Sequence, residues 1–428
     1  KTPPPKLALP VNSSPLKFAK NKDINIYYDS LFMQSYKASP NVRLTNVNGL
    51  VNYNRQCCGK ITSLADNYTS ATTVTYIDSD LDNKVSNIVN YKVVNGATKT
   101  NKTANVLFVG DSFTEIGWWV DGIIGNAVSD GVTLNTIGTM DTSNSLGMTE
   151  NQTGGTIANS FLGKRTESTY KVAVSSLTVK AYEVHFFKYS TYTSNGYTWT
   201  VTGFKIDTNG NGYLRLTTSS GTLPTSGTLT KTAGVGDTSI AFTGAKAINR
   251  NPFWNPTTDV IDFKNYISEW GFANPNILCF MFGWNDCSVP WDVNAIDGFI
   301  NNIDNFITKF NTDYPTAKVI FAIPPFGYTR DPMQDVDGIK YVRLNTALKL
   351  FEKYKASTFV SIVPSYAFVD SINGYATLDF MPSPYYAETI KLGNGTGRSG
   401  AYDEVHNNEG GMKQIGDSVY PYIVDTLV

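Results

Sequence analysis

Four short segments of this 428-residue chain carry residue types that could do chemistry together. Gly110-Asp111-Ser112 places a serine directly after the apolar run Ala104 to Val109. A serine hydroxyl is a poor nucleophile near neutral pH and needs an adjacent base poised close to that pH, which histidine supplies. The chain has two histidines, His185 and His406. Asp403-Glu404-Val405-His406 puts a carboxylate three residues before the second, close enough in a turn to bond the other ring nitrogen and fix the tautomer. His185 falls in a β-patterned stretch, so His406 is the stronger base. In Phe282-Gly283-Trp284-Asn285-Asp286 an asparagine amide follows a second apolar run and could donate to a developing oxyanion. Thr153-Gly154-Gly155-Thr156 could bring a backbone N–H to the same place. Taken singly, the serine could cap a helix, the asparagine form a turn and the glycines punctuate a loop. Their order along one chain points to acyl transfer.

The elements that must position them are legible as texture. Compact apolar runs at 104–109, 277–282, 319–323 and 360–363 read as buried parallel strands. Residues 293–311 and 337–355 space their apolar side chains as helices do, for example Ile296, Phe299, Ile300, Ile303, Phe306 and Ile307. Strands alternating with helices predict an α/β fold, a parallel sheet covered on both faces, whose carboxyl edge is where ligands bind. Ser112 and Asn285 both fall at that edge. A second Gly-Asp-Ser, at 416–418, lies inside a terminal helix expected over 411–427 with no strand before it, and is read as chance.

Residues 1–6 read as a proline-rich linker, and residues 7–98, with short β runs between polar turns, as an amino-terminal β-sandwich-like domain. The core is expected over 104–165 and 253–428. Between its parts, 166–252 turns to alternating β-branched and aromatic residues with Asn-Gly turns, an inserted all-β module. With a core of its own, the module is expected to be removable without loss of Ser112, Gly154, Asn285, Asp403 or His406, sparing chemistry on a small substrate and weakening action on a polymer.

At the four segments the chain resembles the SGNH, or GDSL, hydrolases, whose blocks carry Ser, Gly, Asn and His in that order. Gly110-Asp111-Ser112 is similar to the first block, Gly283-Trp284-Asn285-Asp286 to the third, and Asp403-x-x-His406 to the last; Glu150 to Thr156 keeps part of the second. The resemblance implies a flavodoxin-like three-layer sheet over the expected core. It implies Ser112 as nucleophile, His406 as base and Asp403 as its orienter. The oxyanion donors would be the Ser112 N–H, the Asn285 amide and Gly154, or Gly155 beside it, with the spacing to Thr156 favouring Gly154. It also implies an esterase, with O-acetyl groups on a polysaccharide as the favoured substrate, in a protein outside the cell, on its surface or in a phage tail. Trp118 and Trp284, beside the blocks, are candidate sugar-stacking faces, as are Trp119 and Trp291. The rivals are a carbohydrate-binding tail protein with an idle SGNH domain, and a lipolytic or thioester-cleaving enzyme.

Composition sets the outer bounds. A net charge of -1 with no dense Lys/Arg cluster argues against nucleic acid or an anionic membrane as partner. No run of about 18 apolar residues suggests a membrane span, and no basic-apolar-small leader pattern opens the sequence. Cys57 and Cys58 are adjacent, poor geometry for two ordinary bridges, so the four cysteines are read as mostly free thiols. With two histidines no metal site is expected, and the serine chemistry that the resemblance implies calls for no cofactor.

Overall fold

The computed structural model describes residues 7, 9–10, 15–20, 22, 24–27, 31, 41–46, 51–54, 58–61, 69–77, 84–141, 148–152, 154–179, 184–287, 293–325, 336–369, 406–407 and 409–428. Its centre is a mixed α/β unit. Strand β1 (Thr103–Gly110) leads into helices α1 (Ser112–Ile116) and α2 (Trp118–Ser129), then β2 (Thr133–Ile137) and β3 (Met148–Asn151). After the insertion come α3 (Phe263–Trp270), β4 (Ile277–Met281), α4 (Val293–Asp313), β5 (Lys318–Ala322), α5 (Val336–Tyr354), β6 (Val360–Val363) and α6 (Glu409–Val424).

β1 pairs in parallel with β2 and β3 on one side and with β4 on the other, and β5 and β6 follow β4. The order β2-β1-β4-β5-β6 is compatible with the doubly wound flavodoxin arrangement. Alternate residues of β1 feed two separate cores. Leu107 and Val109 join Leu278 and Phe280 beneath α3, α4 and α5; Val106 and Phe108 join Cys279 and Met281 beneath α2 and α6. This is why β1 and β4 read as continuous apolar runs: both faces of each strand are covered.

Six strands between Ser168 and Ile248 close into an antiparallel barrel. Its own core contains Trp199, Tyr192, Val201, Leu214, Leu216 and Phe242. The β pattern around 182–189 did not anticipate Val184–Phe187, which is a short helix; His185 lies on it and not on a strand. The barrel's separateness ends at its contact with the core. Phe204 N–H donates to the Thr139 carbonyl at 2.6 Å, and a Cβ at Gly203 would sit 2.8 Å from the Thr139 hydroxyl and 2.9 Å from the Arg215 guanidinium. Only a residue without a side chain permits that approach. Two buried ion pairs cross the same interface, Arg215 to Glu150 and Lys188 to Glu115. Excision would take away the cation that faces each buried carboxylate, a cost that the expectation of spared small-ester hydrolysis does not include.

Ahead of the core, the described residues form a four-stranded and a three-stranded sheet. The first packs on α6: Lys17 and Lys92 both pair with Asp425, at 2.8 and 2.5 Å, and Lys17 N–H donates to the Tyr422 hydroxyl. Among the described residues no helix is long and apolar enough to cross a membrane.

Candidate active site

Strand register brings three of the four segments to one edge. Gly110 at the end of β1 is paired with Met281 of β4 and with Asn151 of β3, so the chain leaves the sheet at 111, 282 and 152 side by side. Gly110 has no room for a side chain, because a Cβ would overlap the Thr114 hydroxyl and lie 2.9 Å from the Met281 carbonyl. Asp111 then caps α1, its Oδ1 accepting from Phe113 N–H at 3.1 Å. Ser112 is the first residue of the helix and is 9% exposed.

The last segment arrives from the other end of the chain. α6 packs along α2, and His406 lies just before it. The ring of His406 rests on Phe113, with centroids 5.1 Å apart, and its Nε2 is 2.6 Å from the Ser112 Oγ. This is within hydrogen-bond reach for proton transfer from the hydroxyl. Asp403 lies outside the described residues, as does Trp291.

Asn285 sits on the short helix Trp284–Cys287, and its amide donates to the Gly155 carbonyl at 3.3 Å and to Asp111 Oδ2 at 3.4 Å. The carbonyl of Gly155 thus faces the asparagine, and the Gly155 N–H is used within its own turn by the Gln152 carbonyl at 3.1 Å. Gly154 is exposed, at φ +66°, and its N–H has no acceptor among the described residues.

Asp286 was part of the recognised block, yet sequence reasoning gave it no task. Its Oδ1 accepts the Ile157 N–H at 3.0 Å, tying the glycine turn to the β4 turn. Burial, with the Asp111 charge adding to it and the Ile157 N–H opposing, pushes its pKa up to about 7. Thr156, next along the chain, accepts the Asn159 N–H at 3.1 Å at the start of the helical turn Ala158–Leu162.

The tryptophans divide. Trp119 is fully buried, edge-on to Phe108 at 5.6 Å and 84°, so it is a core residue and not a sugar platform. Trp118 and Trp284 are half-buried against the α2/α6 core. The second Gly-Asp-Ser is structural: Ser418 is buried within α6, its hydroxyl donating to the Ile415 carbonyl at 2.7 Å. Cys279 is a free thiol, buried on β4, and burial raises its pKa far from reactivity. Sequence reasoning also missed Glu150, Arg215, Glu115 and Lys188. Glu150 opens the partly matched second block, and the signal of the others was charge within apolar or alternating segments, such as Leu214-Arg215-Leu216.

A serine hydroxyl held against a histidine ring at the carboxyl edge of a parallel sheet, with an asparagine amide and a glycine turn beside it, has the parts that nucleophilic acyl transfer requires. No protein-family model and no curated protein matches the chain. Among solved structures it is similar to carbohydrate and acetyl esterases. One is an acetyl esterase mutant with acetate ion, at 13% identity and TM-score 0.36, covering 75% of this chain and 97% of that one. Another is a carbohydrate esterase family 3 protein from Talaromyces cellulolyticus, at 15% identity and TM-score 0.35, covering 75% and 97%. A third is a family two carbohydrate esterase from Clostridium thermocellum in complex with cellohexaose, at 11% identity and TM-score 0.31, covering 95% and 93%.

Proposed function

We propose that the chain is a serine esterase of the SGNH type that removes O-acyl groups, acetyl above all, from a polysaccharide. The observation that carries this reading is the 2.6 Å separation of Ser112 Oγ and His406 Nε2. In the proposed reaction Ser112 Oγ attacks the ester carbonyl carbon while its proton passes to His406 Nε2. The carbonyl oxygen becomes an oxyanion, met by the backbone N–H groups of Ser112 and Gly154 and by the Asn285 amide. For the last of these to serve, substrate must compete with the Gly155 carbonyl or with Asp111 Oδ2 for the amide. The carbon–oxygen bond to the sugar then breaks, and His406 returns the proton to the leaving sugar oxygen. A water repeats the sequence on the acyl-enzyme and frees the acid and Ser112. Asp403 is assigned the orienting role on the family resemblance. No step calls for a cofactor.

Trp118 and Trp284, partly exposed beside the blocks, are assigned to sugar stacking. The proposed setting is outside the cell, at its surface or in a virion tail, where acylated polysaccharide is met. The test compares p-nitrophenyl acetate with p-nitrophenyl octanoate, and measures acetate released from an O-acetylated polysaccharide. Fast acetyl hydrolysis with acetate release is expected. Preference for the octanoyl ester would turn the reading to a lipolytic enzyme, and no hydrolysis with tight polysaccharide binding would turn it to an idle binding domain.

A further inference from the structure

The barrel meets the catalytic core through cations. Lys171 pairs with Glu269 at 3.0 Å, and Lys205 donates to the carbonyls of Trp270 and Gly271, at 2.6 and 2.7 Å, at the end of α3. Two further contacts bracket the candidate site. Arg215, 1% exposed, donates from Nη2 to Glu150 Oε2 at 3.1 Å and from Nε and Nη2 to the Thr202 carbonyl, which locks the guanidinium to the barrel's own backbone. Lys188, with its side chain fully buried, lies 3.1 Å from Glu115 Oε1, one helical turn after Ser112.

Glu150 is the more consequential partner. It is fully buried on β3, and besides Arg215 it accepts the Thr139 N–H at 2.9 Å and the Tyr266 hydroxyl at 2.7 Å. β3 is held to β1 through two residue pairs, Glu150 with Val109 and Asn151 with Gly110, and by the Gln152 N–H donating to the Gly110 carbonyl at 3.1 Å. The ladder is short, and the chain enters the Gly154 turn straight after it. The side chain of Glu150 adds a buried anchor at the entry to that turn, whose far end is tied by Asn285 and Asp286, and its charge is balanced by an arginine from the insertion.

We propose that Arg215 is a positioning residue for the oxyanion turn: through Glu150 it holds the end of β3 and with it the Gly154 N–H, while Lys188 steadies the nucleophile helix through Glu115. The barrel is then part of the catalytic apparatus and not an appended module. This rests on the esterase reading given above.

The test uses the full chain and the double variant Glu150→Gln/Arg215→Met, which removes both charges and leaves neither buried alone; such neutral replacements are often tolerated. It should melt within a few degrees of wild type. Its kcat on p-nitrophenyl acetate should fall about tenfold or more with KM within twofold, the pattern of a group felt in the transition state. Amide hydrogen exchange should quicken in 152–157 and stay unchanged in Ile277–Met281. A folded double variant with kcat within twofold of wild type and unchanged exchange in 152–157 overturns the proposal. If the double variant does not fold, Arg215→Lys is read by the same criteria, since it keeps the charge but loses the planar fork of donors. Wild-type protein that neither hydrolyses the ester nor is labelled on Ser112 by a fluorophosphonate would sink the esterase reading instead, and the exchange data would still decide whether Arg215 orders the turn.

Discussion

Replacing Asp286 with asparagine should flatten the pH dependence of stability between about pH 4 and pH 7. The carboxyl is largely buried, one oxygen accepts the Ile157 N–H, and the other has no hydrogen-bond partner among the described residues. Burial and the nearby Asp111 raise its pKa to about 7. The sign follows: the folded protein holds this proton more tightly than the unfolded chain does. The group's contribution is therefore fully present below the ordinary carboxylate pKa and is lost as pH rises through about 7. At ~1.4 kcal/mol per tenfold, a shift across roughly three pH units corresponds to on the order of 4 kcal/mol, which we take as a ceiling. Asparagine keeps an acceptor for Ile157 and cannot ionise. Urea unfolding at pH 4.5 should therefore find the two proteins similar, and at pH 8.5 should find Asp286→Asn more stable by on the order of 2–4 kcal/mol. A gap of the same size at both pH values would refute the argument, because a purely steric or hydrogen-bonding effect does not titrate.

Ser112→Ala should abolish ester turnover by several orders of magnitude with an unchanged melting temperature, since a small residue replaces a small one at a helix start; near wild-type turnover in a clean preparation would remove the nucleophile assignment. Asn285→Ala should lower kcat by roughly 10²-fold with little change in KM, whereas a rise in KM alone would make it a substrate-holding residue. Cys279 should resist iodoacetamide in the folded protein and react once urea unfolds it, as read by mass spectrometry at that residue, because burial keeps it a thiol. Excision of 166–252 with a short Gly/Ser bridge should cost folding or activity on a small ester, through the uncompensated Glu150 and Glu115; a folded and fully active product would show the barrel to be dispensable.

What could be read from sequence was what local pattern encodes. β1, β4, β5 and β6 announced themselves because strands covered on both faces must be apolar throughout, and α4 because its buried stripe repeats at helical spacing. The two copies of Gly-Asp-Ser were separable for the same reason: one follows a strand and the other lies in a helix. Ser112 and His406 were readable as a pair through their residue types, although 294 positions separate them. The use of Asp286 was not, because an aspartate in a turn has many ordinary uses and nothing local points to Ile157. Trp119 misled as a sugar platform because an aromatic beside a catalytic block reads alike whether it faces solvent or Phe108.

The barrel contacts were hidden for a different reason. In an antiparallel strand the residue between two buried leucines points away from the barrel core, and Arg215 between Leu214 and Leu216 reads as a solvated side chain. It is instead 1% exposed, because the outward face of that strand is covered by the α/β core. Apolar contact alone would leave the seating of one module on another loosely defined, since apolar surfaces are non-directional. A buried guanidinium and a buried carboxylate are stable only where they stand at bonding distance, so a displaced barrel would part Arg215 from Glu150 and leave each buried charge uncompensated. On this argument the Trp199 cluster lets the insertion fold, whereas Arg215 and Lys188 determine where it sits, and each of them seats it against a segment that leads to or from the candidate catalytic residues.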